Sequence, residues 1–173
     1  MANVMTARLF LLVLSVIVVF GNFAGNSFAA DNAGTLELSK ALGQAKLFAE
    51  LTDKERAELM SAAALRHCKK GERIIQQGKS LDRMFVILEG QAEVRVNGKL
   101  VATIPEQSLV GEIEFLDKMP ARADVFILKE TYLIELNNAV LTSLMKKQSR
   151  MGYVLMNEIA RIEGVRLRAM DVK

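Results

Sequence analysis

Apolar positions follow three different rhythms along this chain. From Leu9 to Phe20 they form a run broken only by Ser15, which Gly21, Asn22, Gly25 and Asn26 bring to an end. From Leu38 to Glu50 they recur at helical spacing, with Leu38, Ala41, Leu42 and Ala45 on one face. A second helix is predicted from Thr52-Asp53-Lys54-Glu55, with Ala57, Met60, Ala63 and Ala64 among its apolar positions. Thr52 can accept from the backbone N–H three residues on while Glu55 reaches back, which makes a capping box.

From Leu65 to Leu136 the period shortens. Runs of β-formers at Leu65–Cys68, Arg73–Gln76, Met84–Leu88, Ala92–Val96, Leu100–Ile104, Val125–Leu128 and Tyr132–Leu136 alternate with turn residues. Turns are signalled at Lys70-Gly71, Gly78-Lys79, Glu89-Gly90 and Asn97-Gly98. Asn97-Gly98 is the strongest, because a two-residue hairpin needs positive φ at both central positions. Pairing across it sets Val94 opposite Val101. From Asn137 the helical period returns, with a break or bend expected at Gly152. Beyond it Leu155, Ile159, Ile162 and Val165 make one apolar stripe, flanked by Glu158, Arg161, Glu163 and Arg166. That stripe has two readings: packing on its own domain, or the seam of a homodimer.

The expected fold class is mainly β with flanking helices. It is a double-stranded β-helix or jelly roll, which hides its sheet edges, with N-terminal helices and a long C-terminal helix. The domain is expected over residues 38–173, behind a tether at 30–37.

The N-terminal apolar run reads as an address. Arg8 precedes it, and Ser27-Phe28-Ala29 offers small residues where a signal peptidase reads, so cleavage is expected before Ala30. The run is shorter than the roughly 20 residues that cross a bilayer. The rival reading is an uncleaved anchor. The basic residue ahead of the run sends the rest outward in either case. The chain is thus expected to be exported and periplasmic, or tethered to the inner membrane.

Composition narrows the function. The chain of 173 residues carries 23 Lys and Arg against 20 Asp and Glu, a net charge of +3. That balance argues against nucleic acid as a partner. Cys68 is the single cysteine, so no intramolecular disulfide can form. His67 is the single histidine and adjoins Cys68 in a predicted strand, where neighbours point to opposite faces. No metal site or nucleophile–base pair is expected, and the chain is read as non-enzymatic, with no cofactor.

The segment Val110-Gly111-Glu112-Ile113-Glu114-Phe115-Leu116, with Pro120-Ala121-Arg122-Ala123-Asp124-Val125, resembles the phosphate-binding cassette of the cyclic-nucleotide-binding domain family. Gln77-Gly78 and Glu89-Gly90 match that family's structural turn glycines. The resemblance covers about Leu47 to Met170. It implies a cyclic mononucleotide, cAMP or cGMP, held inside the roll by Gly111, Glu112, Ile113, Arg122 and Ala123. Gly111 lets backbone or ligand come close. Glu112 would accept from the ribose 2′-hydroxyl, and the N–H groups of a short helix at 111–116 would face the cyclic phosphate. The family's transcription factors carry a helix-turn-helix after the long helix; none is expected here, and with it no direct DNA contact.

Two residues depart from the family pattern. Ala121 stands where the phosphate-gripping arginine belongs, with Arg122 one place later. A charge-assisted hydrogen bond contributes about 1.5–3 kcal/mol, so its loss weakens binding roughly ten- to more than a hundredfold. Arg122 either reaches the phosphate, or pairs with Asp124, or points to solvent. Glu114 replaces a small residue near the phosphate and adds repulsion if it faces the ligand. The chain is therefore expected to be a regulatory or sensor module with weak or altered ligand binding. The alternative is a scaffold domain that has lost its nucleotide and serves an unidentified protein partner.

Overall fold

The computed structural model describes residues 24–170, with side chains over 34–169. The apolar run from Leu9 to Phe20 lies outside the described residues. The chain divides into two units, one ending at Leu36 and one beginning at Glu37. In the first, the described residues are helical from Ala24 onward. Helix α1 is Ala24–Gln44. Both Ser27-Phe28-Ala29 and the segment expected as a tether, 30–37, fall within it. No helix of the described residues is long and apolar enough to cross a membrane.

The second unit holds the sheet. Helix α1 ends earlier than the expected Glu50, and a 3-10 turn at Lys46–Phe48 follows it. Helix α2, Asp53–Leu59, opens with the expected capping box. Glu55 N–H donates to the Thr52 hydroxyl at 3.3 Å, and Thr52 N–H donates to the Glu55 carboxylate at 2.8 Å. Ala63 and Ala64, expected on this helix, instead open strand β1, Ala63–Cys68. Short 3-10 geometry at Met60–Ala62 makes the change.

Six antiparallel strands follow: β1, β2 (Arg73–Ile75), β3 (Arg83–Val96), β4 (Lys99–Ile104), β5 (Leu109–Val110) and β6 (Asp124–Asn137). Their main order is β1-β6-β3-β4, with β2 on β6 and β5 on β3. With the helices around them they form the expected mainly β jelly roll with flanking helices, including its long closing helix.

Four predicted runs proved to be two long strands. The Glu89-Gly90 turn is a bulge inside β3, where the register against β6 shifts. Gly90 has φ +101°, and a Cβ there would lie 2.3 Å from the Thr131 hydroxyl. The strand bends at the glycine without reversing. Asn97 and Gly98 do reverse the chain, with φ 51° and 78°. Val94 pairs with Ala102, not Val101: Arg95 faces Leu100, so Val101 is the extra residue of a bulge.

Along β3, alternate side chains enter two cores. Met84, Val86 and Leu88 join Leu42, Phe48, Leu59, Ile134 and Leu141 on the helical side. Phe85 and Ile87 join Ile75, Val110, Val125, Ile127 and Leu133 inside the roll. This explains the unbroken apolar run: strand side chains point to opposite faces, and here both faces are covered.

Helices α4 (Asn138–Lys147) and α5 (Ser149–Met170) close the unit. The break falls at Gln148, and Gly152 lies inside α5. A Cβ on Gly152 would stand 2.9 Å from Met145 O, so the glycine admits a close approach of the two helices. Of the two readings of the C-terminal stripe, packing on its own domain accounts for three of its four residues. Leu155 and Ile159 are buried in the chain's own core and Ile162 packs against it, which leaves Val165 as the exposed member.

Candidate functional site

Strand β5 places the cassette. Its two residues straddle the sheet: Leu109 is buried on the helical side and Val110 inside the roll. Two residues are too short a run to give a periodic signal, and sequence reading missed this strand. Gly111 then turns the chain with φ +85°. A Cβ there would lie 2.8 Å from Leu81 Cδ2 and 3.2 Å from Arg83 O, so both conformation and space require glycine.

Helix α3, Glu112–Asp117, starts at that turn. Phe115 anchors it in the helical core, with Lys118 Nζ 4.4 Å from the ring centroid. Ile113 is exposed. Glu112 is 3% exposed. One of its oxygens is paired with Arg166 Nη1, and the other is buried with no hydrogen-bond partner. Arg166 also meets Glu163 Oε1 at 2.7 Å and donates to Leu109 O at 2.6 Å. The residue expected to read a ribose thus already holds the closing helix.

Burial raises the Glu112 carboxyl to about 7. Arg166 opposes that rise, and Glu163 adds to it by repulsion. With both acids ionised, the cluster holds two negative charges against one guanidinium. A buried carboxylate with an unpartnered oxygen is costly. A donor that reached it would remove that cost.

The other cassette residues sit on the loop after α3. Ala121 is buried in the roll core. Its N–H donates to Lys79 O at 2.9 Å and its carbonyl accepts from Gly78 N–H at 2.7 Å. Arg122 is exposed. Its side chain pairs with no acid among the described residues; Asp124 instead lies 3.4 Å from Arg73 and accepts from Gln77 N–H at 3.1 Å. Ala123 is half-buried before β6. Glu114 Oε1 accepts from Arg122 N–H at 3.4 Å. Glu114 also lines a cavity of about 540 Å³ with Ser80, Asp82, Lys118 and Asn138. Gly111, Glu112 and Ile113 thus lie together at the start of α3, while Arg122 meets that helix through the Glu114 carboxylate and Ala123 follows it in the chain.

Other chemistry is sparse. Cys68 is buried in the roll core, which pushes its thiol pKa up and makes it inert. His67 points the other way, 3.0 Å from Glu130 and stacked on Tyr132. Among the described residues no group of three metal-binding side chains converges.

Known proteins resemble this chain in the same region. The sequence model of the family described as "Cyclic nucleotide-binding domain" matches residues 65–148. The cAMP-dependent protein kinase regulatory subunit of Debaryomyces hansenii is 31% identical over 99 residues; this covers 57% of the chain but only 22% of that protein. A cyclic nucleotide-binding protein from Geobacter metallireducens, 21% identical, superposes with a TM-score of 0.67 over 75% of this chain and 97% of its own. The regulatory subunit of a cAMP-independent protein kinase A from Trypanosoma brucei, solved as a mutant bound to cAMP, is 22% identical. Its TM-score is 0.57, over 70% of this chain and 49% of its own. Sequence match, fold and cassette coincide on one segment, and residues 65–148 belong to the cyclic nucleotide-binding domain family.

Proposed function

We propose that this chain is a non-catalytic regulatory module in which the cassette is coupled to α5 through Glu112 and Arg166, and whose grip on cyclic nucleotides is weak. The observation that carries it is the Glu112–Arg166 pair, with its buried, unpartnered second oxygen. A ribose hydroxyl donating to Glu112 would satisfy that oxygen and compete with Arg166 for the carboxylate. The helix would then be freed or reset, and the output would be a change in what α5 presents to a partner protein. A ligand shifts such an equilibrium only by its unequal affinity for the two states. The chain is read as exported, periplasmic or held at the inner membrane, on the strength of the run from Leu9 to Phe20.

Weak binding is supported by Ala121, a buried methyl in place of a cation, and by Glu114. The Trypanosoma mutant adds an independent parallel. It carries a glutamate-to-alanine change, a threonine-to-arginine change seven positions on, and a valine-to-alanine change at the next residue. Glu114 and Ala121 stand at the same spacing here, with Arg122 next. A scaffold function without nucleotide is favoured by these same residues.

Calorimetry of the full chain with cAMP and cGMP separates the two readings. Sensing predicts weak binding that disappears in Glu112→Ala. No heat at millimolar ligand would leave the scaffold.

A further inference from the structure

Backbone pairing around the cassette loop stops at one residue. Ala121 is held on both its N–H and its carbonyl by Lys79 and Gly78. The next N–H, that of Arg122, turns toward α3, and the acceptor it meets is Glu114 Oε1 at 3.4 Å. A backbone donor facing a carboxylate is the elementary unit of an anion site. Here the anion belongs to the chain. The Arg122 side chain leaves the spot, being exposed and unpaired among the described residues. Ala121 contributes a methyl to the roll core.

We propose that Glu114 is a tethered occupant of the cassette's anion seat, a stand-in for the ligand's phosphate that decides which ligands the cassette admits. The inference rests on the cyclic-nucleotide reading above and names what restrains that same site. A carboxylate and a cyclic phosphate are both negative, and both only accept hydrogen bonds. They cannot share one N–H donor, so binding requires the Glu114 side chain to swing away. Its bond is long beside the usual N–H···O distance of about 2.9 Å, so Glu114 can be displaced. It has an advantage nonetheless, because a group on a short tether competes at an effective concentration of about millimolar or above. A cyclic nucleotide must displace it, which lowers the nucleotide's apparent affinity. A ligand that keeps the ribose hydroxyls but brings no anion meets no such competitor.

The test follows the Arg122 amide by NMR in the isotope-labelled full chain while cAMP is titrated by calorimetry into wild type, Glu114→Gln and Glu114→Ala. Alanine is a good helix former, and Glu114 is only half-buried, so the variants keep α3. The Arg122 amide is expected to move in Glu114→Ala before any ligand is added. The cAMP affinity is expected to rise about tenfold or more, with Glu114→Gln between. An Arg122 amide that stays in place, or equal cAMP affinity in wild type and Glu114→Ala, overturns the proposal alone. A moved amide with no cAMP bound to any variant at millimolar concentration overturns the nucleotide reading, and the proposal with it.

Discussion

Helix α5 is fastened near its two ends by the same pair of residue types, and the two fastenings differ in kind. At the start, Arg150 pairs with Glu55 and donates to Glu50 O at 3.2 Å. Toward the end, Arg166 pairs with Glu112. Both glutamates are buried, at 8% and 3% exposure. Glu55 accepts from the Thr52 N–H, the Thr52 hydroxyl and Arg150, and its pKa is lowered, chiefly by the Thr52 backbone bond. Glu112 has an unpartnered oxygen and an acid beyond its arginine, and its pKa is raised to about 7. Burial does not separate these two carboxylates; hydrogen-bond satisfaction does. Glu55 has no buried oxygen left without a partner, whereas Glu112 has one.

The largest way to break this contrast is Glu55→Ala. It removes a helix cap of about 1 kcal/mol and charged hydrogen bonds of about 2 kcal/mol, so urea unfolding at neutral pH should show a loss of about 3 kcal/mol. Glu112→Gln at the other end should change stability by less than about 1 kcal/mol, because it also removes a poorly solvated charge.

The pH dependence comes next in size. Native Glu112 binds its proton up to about pH 7, against 4.5 for the ordinary carboxyl. Its contribution is fully present below the unfolded pKa and is lost as pH rises through the native one. Unfolding free energy should therefore fall between about pH 4.5 and 7, by about 3 kcal/mol. Glu112→Gln should flatten that slope. Glu55 has the opposite sign: its contribution is present above the unfolded pKa and is lost as pH falls through the lowered one. The two sites separate on one stability–pH curve.

Smaller still is Arg166→Ala, about 1 kcal/mol, since Glu112 can answer by taking up a proton. Its signature is local, in faster amide exchange toward the end of α5 with the Arg150 end unchanged.

Most of the local structure is legible in the sequence, and the failures share a cause. The Thr52–Glu55 box and the Asn97-Gly98 hairpin are encoded by neighbours, and both form as read. The Val94 register depends on a bulge at Val101 that no turn residue announces. Gly90 signals positive φ correctly, but whether such a glycine ends a strand or bends it depends on Thr131 across the sheet. The stripe of Leu155 and Ile159 is genuine, yet periodicity names a buried face without saying what covers it. The cassette's departures at Glu114 and Ala121 are visible because they lie a few residues from the motif. Arg166 is invisible for the opposite reason. It looks like the partner of Glu163 on a helix face, and only the fold brings it to Glu112, 54 residues away.

Hydrogen exchange on the full chain, comparing wild type with Glu112→Gln, tests the coupling of cassette to closing helix most directly. The account predicts faster exchange over residues 160–169, unchanged exchange over 151–158, and the same pattern in wild type on saturation with cAMP. Uniform change along α5, or none, would contradict it.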